Sequence, residues 1–174
     1  MEKIALHGVP RSGTTWLGEI VNSSPNVVYK FQPLFSYALK GFLTEASSRE
    51  DIESFFQVLK STCDPFLEQV ERRSEQRLPT FEKTRITHVV YKEVRYHAIL
   101  WNALRRHKSL KLVAVIRNPL SVVHSWLKAP REFRRDLGWC ELEEWRYALK
   151  KNMNKPEEYN GFEKWKEACQ IFLN

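Results

Sequence analysis

The chain has 174 residues, 43% of them apolar, with ten Phe, six Trp and six Tyr, which is enough to bury the core of one domain and excludes a disordered chain. A net charge of +7 points to anionic partners; a nucleotide, a nucleic acid, a sulfated glycan and a membrane surface all fit it. No apolar run is long enough to span a bilayer, and Cys63, Cys140 and Cys169 lack metal-ligand or C-x-x-C spacing, so free thiols in a cytoplasmic, reducing setting are expected, with no secretory leader and no metal.

In chain order, Ile4–His7 reads as a strand and Thr14–Val21 as a helix stopped by Asn22-Ser23-Ser24-Pro25. Val27–Phe31 is a short strand, followed by an expected helix over Leu34–Leu43. Apolar residues at helical spacing predict helices over Asp51–Lys60 and Pro65–Gln76. Thr87–Lys92 is a β-branched strand, Ala98–Arg106 a helix, Lys111–Arg117 a buried strand and Pro119–Leu127 the next helix. Beyond a Pro/Arg-rich loop at Ala129–Gly138, amphipathic helices are expected over Glu141–Asn152 and Phe162–Leu173. Strands alternating with helices predict an α/β fold: a P-loop-type parallel sheet with helices on both faces. Ligands of such sheets bind beyond the carboxyl ends of the strands, which gathers the loops after His7, Phe31, Lys92 and Arg117 around one crevice. The basic clusters Arg72-Arg73, Arg105-Arg106-His107-Lys108 and Arg131…Arg134-Arg135 read as solvated faces, and no nucleic-acid partner is expected.

The most informative segment is Gly8-Val9-Pro10-Arg11-Ser12-Gly13-Thr14-Thr15-Trp16. It lies between a strand and a helix and fits G-x-x-x-x-G-[KST]-[ST], the frame of a phosphate-binding loop. Backbone N–H groups at the helix start and the helix dipole favour an anion there, and Ser12, Thr14 and Thr15 add hydroxyl donors. Thr14 stands where a triphosphate-binding loop carries lysine, and Arg11 is the only cation in the loop. By itself the segment also fits a Gly/Ser turn before a capped helix. A second motif, Arg117-Asn118-Pro119…Ser125, follows the strand KLVAVIR. Arg117 emerges at the ligand edge and Ser125 about two helical turns on, so the two can share a phosphate. Taken alone, Arg117 could equally pair locally and Ser125 merely pack.

Together the two motifs resemble the sulfotransferases that use 3′-phosphoadenosine-5′-phosphosulfate (PAPS). Their P-[KR]-S-G-T-T-W loop stands here as Pro10-Arg11-Ser12-Gly13-Thr14-Thr15-Trp16, and their R-[DN]-P-x-x-x-x-x-S as Arg117-Asn118-Pro119…Ser125. The resemblance covers roughly residues 1–130. It implies that Arg11, Ser12, Gly13, Thr14 and Thr15 hold the phosphosulfate, that Trp16 flanks the adenine, and that Arg117 and Ser125 hold the 3′-phosphate. It also implies in-line transfer of a sulfuryl group to an acceptor hydroxyl or amine, carbohydrate-like acceptors being preferred, with adenosine 3′,5′-bisphosphate (PAP) as product. Arg11 would stabilise charge on the bridging oxygen, and Lys92 and Arg95 would face the donor. The catalytic base is not given by the motifs. Where carbohydrate-type members often carry Glu in F-E-P-L, this chain has Phe31-Gln32-Pro33-Leu34. Where the small-molecule branch has K-T-H, it has Lys92-Glu93-Val94-Arg95-Tyr96-His97. Glu93, at a strand end, is the first expected base and His97 the second, while His7, His88 and His124 read as structural. Members are usually longer, and the late strand of their sheet has no counterpart after Lys151, so residues 1–174 are expected to form one sulfotransferase-like domain truncated at its C-terminus. A divergent P-loop kinase and a catalytically incomplete nucleotide- or polyanion-binding domain are the alternatives. Oligomeric state and acceptor identity cannot be read from these residues.

Overall fold

The computed structural model describes residues 1–174. Four parallel strands, β1 (Glu2–His7), β2 (Val27–Phe31), β3 (His88–Glu93) and β4 (Leu110–Ala114), lie in the order β2-β3-β1-β4. The register brings their carboxyl ends level: Phe31 opposes Lys92, while His7 opposes both Glu93 and Ala114.

Alternation along the strands separates two apolar faces. Ala5, Val89 and Tyr91 point into the larger core, against Phe55, Phe56 and Leu59 of α2 (Arg49–Ser61) and Leu100 and Ala103 of α4 (His97–Arg106). Leu6, Val27, Tyr29 and Val90 point the other way, toward Leu17 and Val21 of α1 (Thr14–Asn22). Helices therefore cover both faces of the parallel sheet, as the sequence predicts. The α2 start is fixed by a capping box, in which Ser48 Oγ accepts from the Asp51 N–H at 3.1 Å and Asp51 Oδ2 accepts from the Ser48 N–H at 2.7 Å.

Four elements depart by more than two residues from the sequence reading. Leu34–Leu43 forms no α-helix: Gln32 is left-handed at φ 46°, only Pro33–Phe35 makes a single 3-10 turn, and Gly41 is again left-handed at φ 77°. Pro65–Gln76 yields only the short α3 (Val70–Ser74), because Asp64 Oδ1 accepts from the Phe66 and Leu67 N–H groups to make a tight turn, and Gln69 at φ 53° separates that turn from the helix. β4 ends at Ala114, three residues before Arg117. Glu141–Asn152 is broken at Ala148 (φ 49°) into α6 (Glu141–Tyr147) and α7 (Leu149–Asn152). By contrast β2, α5 (Pro119–Leu127) and α8 (Phe162–Leu173) have the expected bounds, and Asn118 caps α5 by accepting from the Leu120 and Ser121 N–H groups. No helix is long and apolar enough to cross a membrane.

Candidate functional site

A cavity of about 540 Å³ opens at the carboxyl ends of the strands. Its floor is the β1–α1 loop, which must turn sharply from strand to helix. Ser12 closes the turn, its N–H donating to the Val9 carbonyl at 3.2 Å and its Oγ to the same oxygen at 2.8 Å. Arg11 (φ 70°) and Gly13 (φ 100°) are both left-handed, which glycine tolerates and arginine does not favour. Gly8 is set by lack of space: a Cβ there would stand 2.6 Å from Ser12 Oγ and 2.8 Å from the Val115 carbonyl oxygen. No side chain caps α1, so the N–H groups of its first turn are available to an anion.

Arg11, Gly13, Thr14, Thr15 and Trp16 line this cavity from the loop and α1. Ser12 does not, because its side chain is buried and turned back on Val9, so its hydroxyl is not offered to a ligand as the sequence reading expected. Arg117 and Ser125 line the opposite wall. The two motifs meet directly: Arg11 Nε donates to Ser125 Oγ at 3.1 Å, and Arg117 Nη1 donates to the Arg11 carbonyl at 3.1 Å. The indole N–H of Trp165 on α8 donates to the Arg117 carbonyl at 3.0 Å, which fixes the irregular segment after β4.

The β2 and β3 ends supply the third side. The Gln32 N–H donates to the Lys92 carbonyl at 2.8 Å, and Gln32 Oε1 accepts from Arg95 Nη1 at 3.2 Å. Arg95 also pairs with Glu158 at 2.9 Å and lies over the Phe35 ring. The Lys92 ammonium sits 4.5 Å from the centre of the Phe31 ring. Burial pulls Lys92 below the usual lysine range, and the neighbouring Glu93 carboxylate opposes that shift.

Glu93 and His97, the two expected bases, do not line the cavity. Strand alternation turns Glu93 to the same sheet face as Val89 and Tyr91, where it is fully buried and Oε1 accepts from the Leu34 N–H at 2.8 Å. Burial raises its carboxyl well above the carboxylate range, opposed by Lys92. His97 is also fully buried, with its ring centre 4.1 Å from that of Tyr159 and its Nδ1 3.1 Å from Nδ1 of His7. Burial holds His97 down to about 3 and keeps His7 well below the usual imidazole value, so both are neutral core groups. Both are enclosed away from solvent and from the lining, so neither meets a substrate in the cavity from these positions.

Two lining residues went unnoticed in the sequence. Lys151 reaches the cavity from α7, and Glu132 enters it from the loop after α5, with Oε1 3.3 Å from Arg11 Nη1. The single acid between Arg131 and Arg135 was the only mark of Glu132, and nothing in the sequence marks Lys151. The cavity is thus lined by Arg11, Lys92, Arg95, Arg117 and Lys151 against one carboxylate, and is suited to a multiply charged anion. No three His, Cys, Asp or Glu side chains converge as a metal-ligand group.

Among known families, the model of the sulfotransferase domain matches residues 1–173. No curated protein matches the chain.

Proposed function

The chain belongs to the sulfotransferase domain family, and from that premise we propose that it transfers a sulfuryl group from PAPS to an acceptor hydroxyl. The observation that carries the reading is the meeting of Arg11, the open first turn of α1, Arg117 and Ser125 around one cationic cavity. PAPS fits that arrangement because it carries two separated anionic groups and no β,γ-phosphates, and the loop has no lysine for a triphosphate. In this reading Arg11, the N–H groups after Gly13, and the Thr14 and Thr15 hydroxyls hold the phosphosulfate, with Lys92 beside them. Arg117 and Ser125 hold the 3′-phosphate, and Trp16, 73% exposed at the rim, flanks the base. PAPS supplies the sulfuryl group already bonded to a good leaving phosphate. The protein's part is to align donor and acceptor and to place positive charge where negative charge grows on the bridging oxygen. Gln32, tied to Arg95, orients the acceptor by its amide. One domain, residues 1–174, carries all of these groups, and the unpaired thiols of Cys63, Cys140 and Cys169 support a reducing, cytoplasmic setting.

Titration calorimetry tests the donor assignment. PAP is expected to bind more tightly than ATP–Mg²⁺, and Arg117→Ala to weaken PAP by about 10- to 100-fold, the loss of a charged hydrogen bond or two. Preference for ATP would overturn the donor assignment. The burial of Glu93 and His97 favours a second reading, binding of PAP without turnover. Formation of PAP from PAPS in the presence of an acceptor separates that reading from the first.

A further inference from the structure

We propose that Glu132 is the general base of the transfer, an inference that rests on the donor reading above. A base must stand within hydrogen-bond reach of the acceptor hydroxyl, and so must face the cavity. The titratable groups that face it are Arg11, Lys92, Arg95, Arg117, Lys151 and Glu132. The arginines cannot accept a proton. Lys92, although lowered by burial, stays largely charged at neutral pH beside Glu93, and a lysine ammonium such as that of Lys151 has donors only. Gln32 has no basic oxygen, Glu158 is committed to Arg95, and the carboxyl and imidazole groups of Glu93, His7 and His97 are enclosed in the core. Glu132 is what remains, and its position suits the task.

Its carboxylate lies 3.3 Å from Arg11 and close enough to Lys92 to oppose that lysine's downward shift, so it stands beside the two cations assigned to the sulfuryl end of the donor. The mount is firm. Phe133 next to it is buried edge-on against Trp126, with ring centres 5.3 Å apart, and the Glu132 N–H donates to the Ala129 carbonyl at 2.9 Å. The Arg11–Glu132 pair itself is loosely held, the two side chains being 40% and 34% exposed. A pair this exposed contributes little to stability, which leaves Glu132 free to change partner. When the donor takes Arg11, the carboxylate is released toward the acceptor. In the step, the acceptor O–H proton passes to a Glu132 oxygen as the acceptor oxygen forms its bond to sulfur. The sulfur–oxygen bond to the 5′-phosphate breaks, its electron pair stays on that phosphate as PAP leaves, and Glu132 returns the proton to water.

The test compares wild type with Glu132→Gln and Glu132→Asp. PAP affinity is measured by calorimetry, and PAP formation from PAPS is followed with 2-naphthol, with an oligosaccharide acceptor and with water alone. For Glu132→Gln we expect kcat to fall about 100-fold or more, with PAP bound as tightly as by wild type or tighter, and the acidic limb of the kcat–pH profile abolished. Glu132→Asp should keep that limb with a smaller loss. A kcat for Glu132→Gln within threefold of wild type would overturn the proposal. A fall in kcat matched by equally weakened PAP binding would also do so, since Glu132 would then only be holding Arg11. Wild type that binds PAP but forms none from PAPS under any of these conditions overturns it as well, and leaves the donor site standing. Failure to bind PAP at all removes the donor reading first and the base with it.

Discussion

At the scale of single residues, the site depends on positions where one side chain more or less decides the geometry. Gly8→Ala would set a methyl carbon 2.6 Å from Ser12 Oγ and 2.8 Å from the Val115 carbonyl oxygen, so the loop must shift off the end of β4. A destabilisation of about 1–3 kcal/mol is expected from urea unfolding, together with weaker PAP binding. The glycines are legible in the sequence because a phosphate loop needs close approach at Gly8 and a left-handed angle at Gly13, and Arg11 because it is the only cation between them. The place of Ser12 in the motif, by contrast, says nothing of which way its hydroxyl turns, and here it donates to the Val9 carbonyl. Glu132 was not legible at all. Its role depends on contact with Arg11, 121 residues away in the chain, and no local pattern records a contact of that range.

At the scale of elements, legibility followed the strength of the local signal. β1, β2, β3 and α5 are announced by β-branched or apolar runs and by Asn118-Pro119, and their bounds lie close to those expected, whereas β4 stops three residues short of Arg117. The expected helices failed where turns in the chain are stabilised by tertiary contact. Leu34 accounts for one: its N–H is spent on Glu93, and Leu39 and Leu43 are buried from an irregular segment instead of a helix face. Ala148 accounts for another, fully buried at a left-handed φ with its neighbour Gly161 packed against it. At the start of α2 the local signal and the fold agree. Ser48→Ala should cost about 1 kcal/mol in thermal or urea unfolding without altering PAP affinity, since the capping box lies far from the cavity lining.

At the scale of the whole molecule, the buried imidazoles govern acid stability. His7 and His97 are held neutral by burial, His97 down to about 3. The unfolded chain takes up protons on both once the pH falls below about 6.5, while the folded chain does not, so stability present above that pH is lost as the pH drops toward 3. Glu93, raised by burial, acts in the opposite sense above its ordinary carboxylate value and drops out below about 4.5. In that lower range the stability from Glu53, held down to about 2 by its bonds to His107 and Lys3, is lost in the same sense as that from the imidazoles. Each imidazole should contribute a slope of about 1.4 kcal/mol per pH unit there, and urea unfolding of His97→Gln at pH 4.5 and 3.5 should show that slope reduced by one such share. The clasp between the two motifs has a different global consequence. Before any ligand arrives, Arg11 already donates to Ser125 and Glu132, and Arg117 to the Arg11 carbonyl, which joins segments 106 and 114 residues apart. Binding of the proposed donor would therefore proceed by exchange of partners. A lone sulfate or phosphate can replace one of these bonds but not the set, and it must leave Glu132 repelling it at close range. A ligand with two anionic groups at fixed separation replaces both ends at once. The site accordingly discriminates by the number and spacing of charges, and abundant inorganic anions should compete poorly for it even though it is built almost wholly from cations.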